Sequence, residues 1–469
     1  MVLSTKWMPV VGFLFALAAC GGGGSSGGGE SASGSASGTG VVTVGGGETG
    51  GGGSTGSDTP PTAEWVGSVM VGDQAGDQTT PGIARLSSGE SVVVWTAADR
   101  TIRARRYNDA GATVGAEIVA NTGTAPALAA GVAALANGGF VVTWMAQDGT
   151  TPSRTGTHEY PLMNVYAKRF DSTGEPVGPQ IKLSNESSYY FSQVVPVALA
   201  DGGYVVVWAW DVAFPDMPYY GGPSLRLRKV DAAGNPASPE QPVDAQYDGT
   251  AVRFSAAPMA DGGFIVFWQG RSYSRIDAPS GVRLSRFDAT ATLTGPTRTL
   301  DGSGTGGFDV ASTAYNPAIA TLRDGGYVLA WQSGDSLVMQ RFNAAGTAAT
   351  SKQPLGPRIA PTGYGSAPPM AHPMLAALSN GGFVVAWHIR EDAYPAVTYR
   401  FSARRFDASG AAAGETLPLG SYTTASENLG PGRVGCPCSA AAPSSNGHFF
   451  LVSQWHDAAT GWDIRLTRQ

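Results

Sequence analysis

One ten-residue phrase recurs along this chain: "LANGGFVVTW" at 135–144, "LADGGYVVVW" at 199–208, "MADGGFIVFW" at 259–268, "LRDGGYVLAW" at 322–331 and "LSNGGFVVAW" at 378–387. Looser copies stand at each end, "LSSGESVVVW" at 86–95 and "SNGHFFLVSQW" at 445–455. A repeat with a spacing of about 60 residues overrides the domain count that length alone implies, because repeat folds grow by adding units. Aligned on the Gly-Gly-aromatic core, six copies end in Trp95, Trp144, Trp208, Trp268, Trp331 and Trp387. The seventh reaches Trp455 two residues late, with Ser453 in the aligned place. A two-residue offset keeps the parity of a strand, so Trp455 is expected on the same face.

Each copy reads as four short strands. An apolar piece such as "PVALA" leads into Asp/Asn-Gly-Gly, a hairpin signal because glycine accepts a positive φ. The following run is apolar at nearly every position, as a strand covered on both faces must be. A third strand ends in a basic residue, an aromatic and Asp/Asn, as in "AKRFDS" and "ARRFDA". A D-x-x-G-like turn and a fourth segment such as "GPQIKLS" close most copies. Four antiparallel strands per unit describe a propeller blade. The expected fold is all-β, a seven-bladed β-propeller. The last copy stops after "DIRLTRQ", which aligns with a third strand, and "AEWVGSVMVGD" (63–73) precedes the first copy as a surplus fourth strand. Pairing these two pieces closes the ring and removes its open edges. One blade cannot bury two apolar faces, whereas seven in a circle bury each "GGFVVxW" strand between neighbours.

The N-terminal 62 residues have a different character. "MVLSTKWMPVVGFLFALAAC" carries Lys6 before a short apolar run, too short for a stable bilayer span and shaped like an export signal. Leu17-Ala18-Ala19-Cys20-Gly21 resembles the lipobox of bacterial lipoproteins, which implies a lipidated Cys20 at the mature N-terminus. Residues 21–58 are a Gly/Ser tract that cannot bury apolar surface. It is expected to be a disordered tether with an r.m.s. span of about 35 Å. The division is therefore a signal peptide over 1–19, a lipidated cysteine and linker over 20–62, and the propeller over 63–469. The pattern "DGGFVVxW…ARRFDAxG" resembles β-propeller-like repeats of bacterial lipoproteins and of large secreted adhesin-like proteins. That resemblance implies an extracytoplasmic binding or structural role and transfers no catalytic motif. The sialidase-type Asp box, S-x-D-x-G-x-x-W, differs in its glycine pair and apolar spacing.

Function is expected on one face. In a propeller the first-to-second and third-to-fourth turns share a face, and here they are short and uniform. The second-to-third loops and blade links share the other, and these read as long and varied, as functional loops tend to be. Segments 145–164, 209–224, 269–281 and 388–400 bring Tyr160, Trp210, Tyr219, Tyr220, Tyr273, His388, Arg390 and Tyr394 to one rim as ligand-binding candidates. Aromatic and Arg side chains of this kind suit glycan or protein recognition, while the alternative is that they fold over the blade tops and cap the core. The repeated third-strand cation (Arg106, Arg169, Lys229, Arg286, Arg341, Arg405, Arg468) reads as a structural ion pair with a turn carboxylate such as Asp171 or Asp407, rather than an anion-holding ring.

A net charge of −6 with interspersed signs excludes the basic stripe of a nucleic-acid binder. Cys436 and Cys438, in "VGCPCSA", form a disulfide or stay as free thiols; C-x-C without a second ligand pair does not complete a metal site. The five histidines, His158, His372, His388, His448 and His456, lack metal-motif spacing, and no cofactor fingerprint occurs. The leading expectation is a lipid-anchored binding or scaffolding module of the cell envelope, at the outer membrane in a Gram-negative cell, touching the membrane through its lipid and a glycan or envelope protein through its loops. Two alternatives stand beside it. A glycan-active hydrolase or lyase needs a carboxylate pair across the loop face, drawn from Glu159, Asp216, Glu391 and Asp392. An envelope assembly factor needs a protein-binding surface.

Overall fold

The computed structural model describes residues 66–71, 76–152, 159–187, 193–210, 224–245, 250–271, 281–301, 315–356, 370–393, 396–425, 439–457 and 461–469. They form seven four-stranded antiparallel sheets and one 3-10 turn at Ser445–Gly447. Blade one pairs Thr79–Arg85, Ser91–Thr96, Ile102–Tyr107 and Thr113–Val119. Blade two pairs Ala127–Ala134, Phe140–Pro152, Glu159–Phe170 and Ile181–Lys182; blade three, Val194–Ala198, Tyr204–Trp210, Ser224–Val230 and Gln241–Pro242. Blade four pairs Thr250–Pro258, Phe264–Arg271, Gly281–Phe287 and Arg298–Asp301; blade five, Tyr315–Thr321, Tyr327–Ser333, Ser336–Phe342 and Gln353–Pro354. Blade six pairs Met370–Ala377, Phe383–Ala393, Ala396–Phe406 and Leu417–Ala425. Blade seven takes Ser439–Pro443, Phe449–Asp457 and Gly461–Arg468 from the C-terminus and Val66–Met70 from the N-terminus. The first strands touch one another in sequence, and that of blade seven touches that of blade one. The fold is a closed seven-bladed propeller.

The second strand explains why the ring forms. Its alternate residues face opposite neighbours. Val92 and Val94 of blade one pack on Phe140, Val142 and Trp144 of blade two. Val205 and Val207 of blade three pack on Phe264, Val266 and Trp268 of blade four. Each recurring tryptophan is thus an inter-blade residue, and Trp95, Trp144, Trp208, Trp268 and Trp331 are each at most 1% exposed. At the closing seam, Phe450, Val452, Ile464 and Leu466 of blade seven meet Val93 and Trp95 of blade one. Val71, 0% exposed, joins that cluster, and its carbonyl accepts the Tyr107 hydroxyl hydrogen at 3.2 Å. In blade seven Ser453 is buried where the others have tryptophan, and Trp455 instead reaches Phe401 and Tyr422 of blade six, with ring centroids 5.8 and 4.9 Å away.

The Asp/Asn-Gly-Gly turn is explained atom by atom. The Asp201 carboxylate accepts the Gly203 N–H at 2.9 Å, and Asp261 and Asp324 do the same for Gly263 and Gly326. The first glycine carries φ 84° at Gly202, and the second leaves no room for a side chain, since a Cβ at Gly263 would stand 2.1 Å from the Phe287 carbonyl oxygen.

The third-strand cation is structural, with a different partner from the expected one. Lys229 pairs with Asp201 at 2.6 Å, Arg286 with Asp261 at 2.7 Å, and Arg341 with Asp324. Arg106 pairs with Glu90 at 2.8 Å. These carboxylates belong to the first turn of the same blade. Asp171 and Asp407 cap their own turns instead, each accepting backbone N–H groups two and four residues on. The same cations also donate across the blade boundary: Arg106 to the Ser172 carbonyl at 2.9 Å, Lys229 to Ala289 at 2.6 Å and Arg286 to Ala344 at 3.1 Å. One side chain ties its own turn to the next blade, so the turn face is stapled around most of the ring.

At the seam Asp109 performs this task. Its carboxylate accepts from Arg85, from Ser444 Oγ at 2.9 Å and from the Ser445 N–H at 3.4 Å. The Arg85 hydrogen bond, aided by Ser444 and Ser445 against the opposing effect of burial, holds this carboxyl well below its ordinary 3.8. A depressed carboxyl stabilises the fold above the unfolded value and loses that contribution as pH falls through the folded one. The melting temperature is therefore expected to carry the full contribution of this group, without further pH dependence, above about pH 5 and to fall below 3.8, and Asp109→Asn to flatten that acid limb. An unchanged acid limb in thermal melts of Asp109→Asn contradicts this role.

Candidate functional site

The face opposite the stapled turns is uneven. In blade two the second and third strands run as a ribbon over Phe140–Pro152 and Glu159–Phe170, well past the level of Trp144. In blade six Phe383–Ala393 and Ala396–Phe406 pair throughout, from Phe383 opposite Phe406 to Ala393 opposite Ala396. Much of 145–164 and 388–400, expected as loops, is thus ladder. Pairing that satisfies backbone groups continues beyond the buried part of each blade. Blades one and five, by contrast, cross between these strands in a few residues, at 97–101 and 334–335. Second-to-third connections thus differ in length from blade to blade among the described residues.

The candidate residues fall into three groups. Tyr160 lies on the blade-two ribbon, opposite Thr151. Arg390 lies on the blade-six ribbon, opposite Met370 and Tyr399, and is half-buried. Trp210 ends the second strand of blade three and is partly exposed, with the Arg226 guanidinium 4.4 Å from its ring. It also packs against the blade-two and blade-three core, so its inner side caps that core.

His388 is not a rim residue. It is 0% exposed, stacked on His372 at 4.6 Å and tilted against Phe401 at 5.3 Å. His388 and His372 are directly opposed across the first two strands of blade six. Strand alternation sends His388 into the blade six to blade seven interface with Val384 and Ala386, which the reading of 388–400 as a loop could not register. Tyr219, Tyr220, Tyr273, Tyr394, Cys20, Cys436 and Cys438 lie outside the described residues.

Of the four carboxylates a hydrolase would draw on, Glu391 is paired with Arg400 at 2.9 Å and Glu159 is exposed on the blade-two ribbon. Asp392 sits on its strand opposite Val397, and Asp216 lies outside the described residues. Among the described residues no group of three or more His, Cys, Asp or Glu side chains is placed to hold a metal ion. No helix among them is long and apolar enough to cross a membrane.

A cavity on the turn face was not anticipated. It measures about 620 Å³ and is lined by Arg85, Thr321, Arg323, Ser379, Ser444 and Asn446 among others. These residues end the first strands, or begin the first turns, of blades one, five, six and seven, so the cavity lies at the mouth of the central channel. The signal for it was in the repeat: "LRD", "LSN" and "SSN" stand where other copies read "LAN", "LAD" and "MAD".

No protein-family model matches the chain, and no curated protein does. Several solved structures are similar in fold. A protein of unknown function from Dyadobacter fermentans is 13% identical with a TM-score of 0.45, over 77% of this chain and 99% of that one. A polysaccharide lyase described as a PL25 ulvan lyase is 10% identical with a TM-score of 0.44, over 84% of this chain and 93% of that one. A Trypanosoma rangeli sialidase is 9% identical with a TM-score of 0.39, over 84% of this chain and 55% of that one.

Proposed function

We propose that this protein is a binding module of the bacterial cell envelope, held to a membrane by a lipid on Cys20 and recognising a glycan through the face opposite its stapled turns. The observation that carries the reading is the division of labour between the two faces. Turn-face carboxylates and third-strand cations are spent on ion pairs and blade-to-blade hydrogen bonds. The opposite face carries the blade-two and blade-six ribbons, with Tyr160 and Arg390 on them, and Trp210 at the end of the second strand of blade three. Planar aromatic faces on a rigid frame give contact area at low entropic cost and suit the apolar faces of sugar rings. The lipobox-like segment and the Gly/Ser tract support the anchor and its tether.

The detergent-solubilised full chain is expected to bind saccharides on a glycan array. Tyr160→Ala and Tyr219→Ala with Tyr220→Ala are expected to weaken that binding about tenfold, or about 1.4 kcal/mol. Binding unaltered by these changes counts against the site, and capture of an envelope protein without any saccharide signal counts against a glycan. Blocking lipoprotein processing with a globomycin-type inhibitor is expected to leave an unprocessed precursor, and an unchanged chain counts against the lipid at Cys20.

A further inference from the structure

In a repeat protein, positions that recur serve the fold, and positions that break the recurrence are released from it. The residue entering the first turn is Leu86, Leu135, Leu199, Met259, Leu322 and Leu378 in blades one to six, all buried. In blade seven it is Ser444, also buried. The next position is Ala136, Ala200 and Ala260 in blades two to four, but Arg323, Ser379, Ser445 and Ser87 in blades five, six, seven and one. The departures are contiguous around the ring, and the channel-mouth cavity lies over that polar sector.

The charged lining of this cavity is cationic, consisting of Arg85 and Arg323. Arg85 is committed at both terminal nitrogens, Nη1 donating to Asp109 Oδ1 and Nη2 to Oδ2 at 2.9 Å, so its charge is balanced at the seam. Arg323 is exposed, and the aligned alanines show that the turn itself has no need of a guanidinium there. Nη1 of Arg323 donates to the Ser379 carbonyl of the next blade, which orients the planar fork at the cavity. Its neighbour Asp324 is engaged by Arg341 and does not line the cavity. A guanidinium carries five N–H donors in a fork matched to carboxylate, sulfate and phosphate. Thr321, Ser379 and Ser445 add side chains able to donate to an anion's remaining oxygens, beside the apolar Leu322, Ala377, Leu378 and Pro443.

We infer that the turn-face mouth of the channel is a second binding site, taking an anionic group on Arg323 beside a wall of Thr321, Ser379 and Ser445 and the apolar Leu322, Leu378 and Pro443. A volume of about 620 Å³ lies within the range of small-molecule sites, so the ligand is a small acid or the acidic unit of a larger chain rather than a bare ion. This site is independent of the loop-face reading above.

The test is calorimetric titration of the full chain with sodium sulfate, and separately with sodium glucuronate, at ionic strength held constant with sodium chloride. Saturable binding of one anion per chain is expected. Arg323→Gln is expected to weaken it at least tenfold with the melting temperature unchanged. Ser379→Glu, which sets a carboxylate on the wall, is expected to abolish it, while Arg400→Gln on the opposite face leaves it intact. Heats that do not saturate, or equal binding by wild type and Arg323→Gln, overturn the site. Glucuronate binding more tightly than sulfate supports an acid with a polar body, and the reverse order contradicts it.

Discussion

Replacing Trp331 by alanine is expected to destabilise the propeller by about 3–5 kcal/mol, the range for losing a large buried aromatic. The ring is 0% exposed between blades four and five. Phe267 of blade four meets it edge-on at 5.8 Å, and Lys352 Nζ stands 5.7 Å from it. The indole N–H donates to Asp301 Oδ2 at 3.1 Å, so alanine removes a donor from a half-buried carboxylate as well as leaving a void. Burial alone would raise the Asp301 pKa, but hydrogen bonds from Ser333, Lys352 and Trp331 outweigh it and leave the carboxyl below its ordinary value. Trp331→Phe keeps most of the packing and loses the donor, and is expected to cost about half as much. Trp210→Ala serves as the contrast, because that ring is partly exposed and its loss opens to solvent. Equilibrium denaturation of the three variants ranks them. A Trp331→Ala effect below about 1 kcal/mol contradicts its place in the interface.

The architecture was legible because it is written seven times. A two-faced apolar strand, a glycine pair and a basic residue before an aromatic recur at one pitch, and each proves to have a single physical cause repeated blade by blade. The identity of the cation's partner was less legible. "RRFDA" places Arg405 two residues from Asp407, yet the Asp407 oxygen is taken by the N–H groups of its own turn. In the blades with acidic first turns, the cation reaches a carboxylate 16 to 28 residues upstream instead. Local spacing does not reveal a contact set by strand pairing.

The sites were legible only in part, for the same reason. His388 looked like a loop residue because "HIREDAYPAVTYR" has the polarity of one, but the ladder continues through it and alternation buries it against His372 and Phe401. Trp210 was found at the expected end of its strand, where Arg226 lies over it. The channel-mouth cavity is not legible from the recurring positions, which serve the blades. Its residues, Arg323 and Ser379 above all, are the ones that fail to recur.

Both faces take their positions from the closing of the ring. Residues 66–71 supply the outer strand of blade seven and the residue that leaves it, with Ser68 opposite Thr467, Val69 opposite Leu466 and Met70 opposite Arg465. Deleting them removes buried Val71, the acceptor of the Tyr107 hydroxyl and a hydrogen-bonded ladder. The expected loss is about 3–5 kcal/mol, from about 2 for the valine and about 1 for each of a few hydrogen bonds. It also bares the edge of Gly461–Arg468, and concentration-dependent association is expected to follow. Disulfide trapping reads the pairing itself. With the three native cysteines replaced by serine, Ser68→Cys with Thr467→Cys is expected to oxidise within one chain, while Ser68→Cys with Leu466→Cys, slipped by one residue to the other face, stays reduced. A matched pair that stays reduced or joins two chains, or a slipped pair that oxidises equally well, would contradict the closed ring.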